Sequence, residues 1–338
     1  MGIILILDRL LVRARDAGFI GALARGAWGD RPGPRRTRFA AAALVLVLAA
    51  SCGADADSGS PGDGLSIVAS FYPLSEAAAR VGGPLVAVTN LTPPGVEPHD
   101  LELDPEQVAE IAGADLVLYL GEGFQPAVQD AVDVVAEGEH VDLLQGIGDT
   151  GSTSEPGEPS AGDVVDPHVW LDPVLMRRIV DRIAETLNRL DPSHATGFRT
   201  RADAFDADLA ELNEEYRSGL SSCSRRVLVT SHAAFGYLAD RYGLSQEPIT
   251  GLSPEAEPDP ERLAQLAEDV QRTGTTTIFT ETLVSPKVAQ TLAREAGVTT
   301  AVLNPLEGLT KQQVQAGDDY LSVMRSNLAA LRRGLDCA

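Results

Sequence analysis

Three of the five histidines in this sequence lie in loops or just after predicted strands, where an imidazole can reach a bound ligand. They are His99, His168 and His232, and imidazole is a good ligand for zinc, copper, nickel and iron. His140 opens a predicted strand and His194 starts a predicted helix, so we interpret both as surface or capping residues. No two of the three loop histidines have the short spacing of a local metal motif. Structural histidines scattered through the fold therefore remain the alternative to a metal site.

Short apolar runs alternate with helical patterns along most of the chain, which is typical of parallel βαβ units. In the first half the pattern predicts strands at 66–70, 86–89, 116–120 and 140–143, with helices at 73–81, 105–113 and 124–135. In the second half it predicts strands at 226–230, 244–247, 276–280 and 300–303, with helices at 235–241, 259–273, 286–296 and 311–333. We therefore expect an α/β fold with two similar βα domains, each built on a parallel sheet.

A long amphipathic pattern separates the two halves. Apolar residues recur from Phe198 to Tyr216 at spacings of four and three, which predicts one helix of about 37 Å. The expected order is an N-terminal domain at 65–192, a linking helix at 193–220 and a C-terminal domain at 221–338. Ligands of parallel sheets bind at the carboxyl ends of the strands. The loop histidines of both domains can therefore meet in the interdomain cleft.

Five short segments carry a more specific signal. They are Val68–Pro73, Glu97–Asp100, Asp166–Pro173, Thr230–Phe235 and Leu303–Glu307. Their order and context resemble the zinc- and manganese-binding receptor family of bacterial ABC importers, in particular the cluster with a rigid interdomain helix. The resemblance implies a solute-binding protein that captures a divalent metal outside the cytoplasm and delivers it to a membrane permease with its ATPase.

The same resemblance implies which residues bind the metal, two from each domain. They are His99 and His168 in the N-terminal domain and His232 and Glu307 in the C-terminal domain. Glu307 follows a predicted strand, where a carboxylate of the cleft should project, and a surface acid in a loop is the alternative reading. Three imidazoles and one carboxylate favour Zn(II), since manganese-type relatives carry two histidines and two carboxylates.

Two other carboxylates compete with Glu307 for the role of ligand. Glu97 is close to His99 in sequence, and Glu281 follows a predicted strand, but neither matches the ligand motifs of the family. The chain also departs from many zinc-type relatives at 146–162, where those relatives carry a loop rich in histidine and acids. Here the segment has Gly, Ser, Thr, Glu and Pro but no histidine. We interpret it as a mobile, solvated loop.

The first fifty residues have the pattern of a secretory signal. A basic stretch, 31–38, precedes the apolar run 39–50, which is shorter than the ~20 residues that span a bilayer. Small residues then lead to Cys52, which resembles a lipobox cysteine, although Ala49 stands where leucine is usual. We expect a signal at 1–51 and a lipidated tether at 52–64 that anchors an extracytoplasmic protein to the membrane. An ordinary signal with an incidental cysteine is the alternative.

The net charge of −22 argues against nucleic acid as a partner, because Lys and Arg side chains supply the binding to phosphates. Besides Cys52 the chain has two cysteines, Cys223 and Cys337, and in an exported chain we expect one disulfide between them. Two separate thiols are the alternative. We expect a monomer.

Two other classes of function, a zinc hydrolase and an adhesin, are compatible with some of these residues. A catalytic zinc has three protein ligands and an open position for water, so Glu307 acting as a base beside three histidines would make a hydrolase-like site. No His-Glu-x-x-His motif or nucleophile elbow accompanies the histidines, and ligands drawn from two domains suit capture better than turnover. Some lipoproteins that resemble this family are described as adhesins, but the sequence contains no separate adhesion module. We therefore predict a metal-binding transport protein and not an enzyme.

Overall fold

The computed structural model describes residues 64–147 and 165–338, all of which belong to one compact unit. The predicted signal, Cys52, nearly all of the predicted tether and most of the loop 146–162 lie outside the described residues. Within those residues, no helix has the length and apolar character needed to cross a membrane.

The first lobe is a four-stranded parallel sheet with helices on its faces. Its elements are β1 (Leu65–Ala69), α1 (Tyr72–Gly82), β2 (Val86–Asn90), α2 (Pro105–Gly113), β3 (Leu116–Tyr119), α3 (Pro126–Val135), β4 (Glu139–Asp142) and α4 (Pro173–Leu190). The strand order is β2-β1-β3-β4, and β1 pairs with β2 from Leu65 opposite Val86 to Ala69 opposite Asn90. All four residues of β3 are buried, as expected for a parallel strand that is covered on both faces.

The linking helix α5 (Ala195–Leu220) has 26 residues and follows a 3-10 turn at Pro192–His194. At ~1.5 Å per residue it is about 39 Å long. Arg201 donates from Nε and Nη2 to the carbonyl oxygens of Val81 and Gly82 in the first lobe, each at 2.7 Å. Tyr216 donates to the carbonyl oxygen of Met324 in the second lobe at 2.6 Å. The helix is therefore hydrogen-bonded to both lobes and not only joined to them through the chain.

The second lobe repeats the topology of the first. Its elements are β5 (Val227–Thr230), α6 (Gly236–Tyr242), β6 (Ser245–Pro248), α7 (Pro260–Thr273), β7 (Thr277–Thr280), α8 (Lys287–Ala296), β8 (Thr299–Val302), α9 (Lys311–Ala316) and α10 (Tyr320–Gly334). All its strand pairs are parallel, and the order is β6-β5-β7-β8. The predicted fold class, two similar parallel βα domains joined by one long helix, is confirmed.

The single helix predicted at 311–333 is wrong, because the structure contains two helices there. α9 ends at Ala316, and the next residue, Gly317, adopts a left-handed φ of 77° and caps the helix with its backbone N–H. Asp319 then caps α10, since its carboxylate accepts from the backbone N–H of Ser322 at 2.8 Å. The segment Gly-Asp-Asp therefore ends one helix and begins the next. Apolar periodicity does not reveal such a break, because it depends on side-chain hydrophobicity and not on capping.

One buried apolar core extends through both lobes and the linking helix. It includes Phe71 in the first lobe, Phe198 and Tyr216 on α5, and Phe235 and Tyr320 in the second lobe. Smaller apolar clusters lie under α2 and α3 and under α7 and α8. A continuous core between the lobes opposes wide separation, because opening it would expose apolar surface to water.

A disulfide joins Cys223, just after the linking helix, to Cys337, just after the last helix. The two cysteines also form an isolated antiparallel bridge between their backbones. The link ties the start of the second lobe to the end of the chain.

Candidate metal site

Four side chains of ligand type converge where the two lobes meet. His99 lies in the loop between β2 and α2, His168 precedes a 3-10 turn at Val169–Leu171, His232 follows β5, and Glu307 follows β8. One ligand atom from each of the four lies within 4.8 Å of the others. His168, His232 and Glu307 are fully buried, and the side chain of His99 is 9% exposed. The structure therefore brings together all four side chains that the sequence singles out.

Four of the distances within this cluster match the edges of a metal tetrahedron. Oε1 of Glu307 lies 3.0 Å from Nε2 of His232, 3.3 Å from Nε2 of His168 and 3.4 Å from Nε2 of His99. The Nε2 atoms of His168 and His232 are 3.3 Å apart. Ligand atoms placed ~2.0 Å from a tetrahedral zinc ion are about 3.3 Å from one another. Glu307, His168 and His232 therefore have the spacing of a tetrahedral zinc site, and His99 completes its donor set within 4.8 Å.

A carboxylate in each lobe orients one of the buried histidines. Oδ1 of Asp166 accepts from the backbone N–H of His168 at 2.9 Å and from its ring Nδ1 at 2.7 Å. In the second lobe, Oε1 of Glu281 accepts from the backbone N–H of His232 at 3.1 Å and from its Nδ1 at 2.8 Å. Each carboxylate holds the proton on Nδ1, so that Nε2 is presented to the cleft.

His99 is held differently from the other two histidines. Its backbone N–H donates to Oε2 of Glu97 at 3.0 Å, and its ring meets the edge of Phe124 with 4.7 Å between centroids. Within the described ranges, Oε1 of Glu97 is buried without a hydrogen-bond partner. Burial and the charge of Glu307 raise the pKa of Glu97 to about 8. Burial and Glu307 thus hold Glu97 toward its neutral form, which makes its carboxyl a weaker candidate for a metal ligand than that of Glu307.

The site binds protons when no metal is present. Burial lowers the pKa of His232, but the carboxylates of Glu307 and Glu281 outweigh burial and raise that pKa to about 10. Burial also lowers the pKa of His168, and the hydrogen bond and charge of Asp166 outweigh it, so this pKa is raised as well. Burial opposes the charge of Glu307, yet its histidine partners, His232 first, hold its pKa well below the usual value.

The pKa of His99 is shifted in the opposite direction. Burial lowers it, and the nearby carboxylate of Glu307, with Oε1 3.4 Å from Nε2 of His99, only partly offsets the burial. Of the three histidines, His99 is therefore the one that is neutral most readily. The ordinary imidazole pKa of ~6.5 describes none of the three.

The remaining candidates from the sequence lie elsewhere. His140 is exposed in β4, and Nδ1 of His194 lies 2.5 Å from Oδ2 of Asp191 beside the start of α5. Glu281, a competing ligand by sequence, instead holds the Nδ1 side of His232. Asp166 was not among the candidates from the sequence, although its position two residues before His168 in Asp-Pro-His was the available signal.

Two parallel α/β lobes on a linking helix, with ligand groups buried between them, define the class of two-lobed solute-binding proteins. The protein family described as ZnuA, zinc-uptake complex component A, periplasmic, matches residues 67–334. The chain belongs to this family.

Named relatives agree with the family assignment. The zinc-binding lipoprotein AdcA of Streptococcus pneumoniae is 39% identical over 281 residues, which cover 80% of this chain and 56% of AdcA. The high-affinity zinc uptake system protein ZnuA of Bacillus subtilis is 37% identical over 284 residues, which cover 82% of this chain and 89% of that protein. The chain thus spans little more than half the length of AdcA and most of the Bacillus protein.

Solved structures show the same fold. The Zn(II)-bound ZnuA-like domain of Streptococcus pneumoniae AdcA superimposes with a TM-score of 0.68 at 38% identity, covering 81% of this chain and 99% of that domain. The laminin-binding protein Lmb of Streptococcus agalactiae, described as a bifunctional protein with adhesin and metal transporting activity, gives a TM-score of 0.70 at 33% identity. That match covers 80% of this chain and all of Lmb.

Proposed function

We propose that this protein is the extracytoplasmic solute-binding component of an ABC importer, which captures Zn(II) and delivers it to a membrane permease and its ATPase. The observation that carries the proposal is the buried cluster of three imidazoles and one carboxylate, drawn from both lobes. The relatives named for zinc binding and zinc uptake support the same substrate.

The donor set favours zinc over manganese. Zinc accepts nitrogen and oxygen ligands in a closed tetrahedron, whereas Mn(II) favours a set richer in oxygen and of higher coordination number. Here three of the four ligand atoms are nitrogens, and the cluster is enclosed by protein. Four ligands also leave no open position for a reacting water, so we propose capture without turnover. A hydrolysis screen of the zinc-loaded protein tests this, and turnover that Glu307→Gln abolishes while zinc stays bound would contradict it.

A metal shared by both lobes links them through one ion. His99 and Nε2 of His168 would bind from the first lobe, and Nε2 of His232 with the carboxylate of Glu307 from the second. Because α5 and the continuous core already join the lobes, we expect a small tilt and local loop movement on metal release, not a wide hinge opening. The permease would sense this change.

For the location, we propose export by a signal at 1–51 and membrane attachment through a lipidated Cys52, with the protein acting as a monomer. The lipoprotein relatives support attachment. Mass spectrometry of the mature N-terminus in cells tests it. A diacylated Cys52 is expected, and a mature chain that begins elsewhere would contradict the proposal.

The direct test of zinc capture is metal analysis and chelator competition on the purified protein. We expect one zinc per chain, much weaker binding of Mn(II), and a loss of zinc affinity in His232→Ala that exceeds the about 10–100-fold typical of outer-shell changes. His140→Ala is the matched control, because it removes an exposed histidine outside the cluster. Zinc affinity that survives His232→Ala unchanged would overturn the proposal.

Adhesion is a second candidate, favoured by the likeness to the laminin-binding protein Lmb. Equilibrium binding of the apo and zinc-loaded forms to immobilised laminin tests this role. Saturable binding would support a second activity, and its absence in both forms would leave zinc capture alone.

A further inference from the structure

The indole of Trp170 makes a buried hydrogen bond that joins the two lobes. Each of the two bonded residues lies two positions from a candidate metal ligand in the sequence. Nε1 of Trp170 donates to the carbonyl oxygen of Pro305 at 2.8 Å. Trp170 follows His168 by two positions, and Pro305 precedes Glu307 by two. Trp170 is fully buried, and its own carbonyl oxygen accepts from the hydroxyl of Tyr320 at 2.6 Å.

The loop that carries Glu307 needs support, because Leu306 adopts a left-handed φ of 57°. A residue with a side chain rarely takes this conformation unless its surroundings enforce it. The backbone N–H of Leu306 donates to Oδ1 of Asn304 at 2.8 Å. Asn304 is held in turn by the side chain of Asn327 on α10, which accepts from its N–H at 2.8 Å and donates to its carbonyl oxygen at 2.6 Å.

Hydrogen bonds therefore hold the backbone at each of the three residues before Glu307. Those at Asn304 and Leu306 come from the second lobe itself. The bond at Pro305 comes from the first lobe, and from the segment that carries His168. The Trp170 ring also packs beside the His168 ring, with 5.1 Å between centroids. One side chain, that of Trp170, therefore contacts both the loop that carries Glu307 and the ring of His168.

From this arrangement we infer that Trp170 is a positioning residue, which sets the carboxylate of Glu307 against Nε2 of His168 before the metal arrives. The inference rests on the proposed function, zinc capture by this cluster. Without the indole N–H, the buried carbonyl of Pro305 loses its partner, and an unpaired buried carbonyl drives the backbone to rearrange. The left-handed turn at Leu306 then relaxes, and the carboxylate of Glu307 leaves the position that completes the tetrahedron.

The test is Trp170→Phe, which removes the N–H and keeps an aromatic ring. Zinc affinity should fall between about 10- and 100-fold, the range seen when partners that orient metal ligands are removed. The visible absorption spectrum of bound Co(II), which reports coordination geometry, should change in the same variant. A purely structural role would lower stability but leave the cobalt spectrum as in the wild type.

Tyr216→Phe is the matched control. It removes a buried hydrogen bond to another carbonyl of the second lobe, that of Met324, and does not touch the loop of Glu307. This variant should keep the affinity and the cobalt spectrum of the wild type, even if its stability falls as much as that of Trp170→Phe.

Failure of the inference and failure of the proposed function give different results. Wild-type affinity and an unchanged cobalt spectrum in Trp170→Phe would overturn the inference. Should that variant fail to fold, replacement of Trp170 by its benzothiophene analogue decides, since the analogue keeps the bicyclic ring and lacks only the N–H. Weaker zinc binding with an altered cobalt spectrum supports the inference, and unchanged binding with an unchanged spectrum overturns it. A wild type that does not bind zinc would instead refute the proposed function.

Discussion

Zinc binding should release protons, and the affinity for zinc should therefore rise with pH. In the metal-free site, burial lowers the pKa of His232, but Glu307 and Glu281 outweigh it and raise the pKa to about 10. The pKa of His168 is raised too, because Asp166 outweighs burial. An imidazole nitrogen that carries a proton cannot bind a metal, so zinc must displace these protons.

The size of the effect follows from the shifted pKa. The pKa of His232, about 10, is about three units above pH 7. Displacing its proton at pH 7 therefore costs about 4 kcal/mol, which weakens zinc binding roughly a thousandfold. Below the pKa, each pH unit changes the affinity about tenfold for every proton released. From about pH 6.5 to about pH 8.5 we expect the Kd for zinc to fall about 100-fold if His232 alone releases a proton. A further proton from His168 would make the dependence steeper.

The assay is chelator competition across this pH range, corrected for protonation of the chelator, combined with calorimetry. Calorimetry in two buffers of different ionisation enthalpy counts the protons that zinc releases. We expect at least about one proton per zinc near pH 7.5. An affinity that is flat from about pH 7 to about pH 8.5, with no proton release, would refute the reasoning. His194→Gln is the control, because it removes a histidine outside the cluster and should leave the slope unchanged.

Two further predictions concern the ligands and the disulfide. Glu307→Gln should weaken zinc binding by more than the about 10–100-fold of an outer-shell change, because it removes the anionic ligand, and competition titration measures this. Cys223→Ser combined with Cys337→Ser should lower the free energy of unfolding in urea by about 2–5 kcal/mol, because the disulfide closes a loop with a sequence separation of 114 residues.

Each of these variants has its own control. Glu97→Gln keeps the size of a side chain that lies outside the ligand cluster and whose pKa is raised, so it should bind zinc like the wild type. A loss in Glu97→Gln equal to that in Glu307→Gln would make Glu97 a ligand and contradict the assignment. For the disulfide, the single variant Cys337→Ser should be destabilised as much as the double variant, and zinc stoichiometry should not change. An unchanged unfolding free energy would mean that the disulfide does not constrain the unfolded chain.

The strands and helices with a clear local pattern of apolar residues could be predicted from the sequence. The eight strands lie within about one residue of their predicted ends, because each appears as a short run between turn signals. The inner strands β3 and β7 are buried along their whole length, whereas the edge strand β8 is mostly exposed. The linking helix was predictable for the same reason, since its buried stripe recurs at helical spacing from Phe198 to Tyr216. The break between α9 and α10 was missed, because Gly317 and Asp319 act through backbone conformation and capping, not through apolar periodicity.

The sequence by itself determined the identity of the candidate ligands, since His99, His168, His232 and Glu307 each stand beside a recognisable segment at a strand end or in a loop. It did not determine what orients them. Glu281 meets His232 across 49 residues because β5 and β7 are neighbours in the sheet.

Trp170 meets Pro305 across 135 residues because the two lobes pack face to face at the cleft. Contacts at such separations depend on the pairing of strands and the packing of lobes, and no local pattern encodes them. Tertiary structure alone therefore decided the proton affinity of the site, the role of Glu281 and the link between His168 and Glu307.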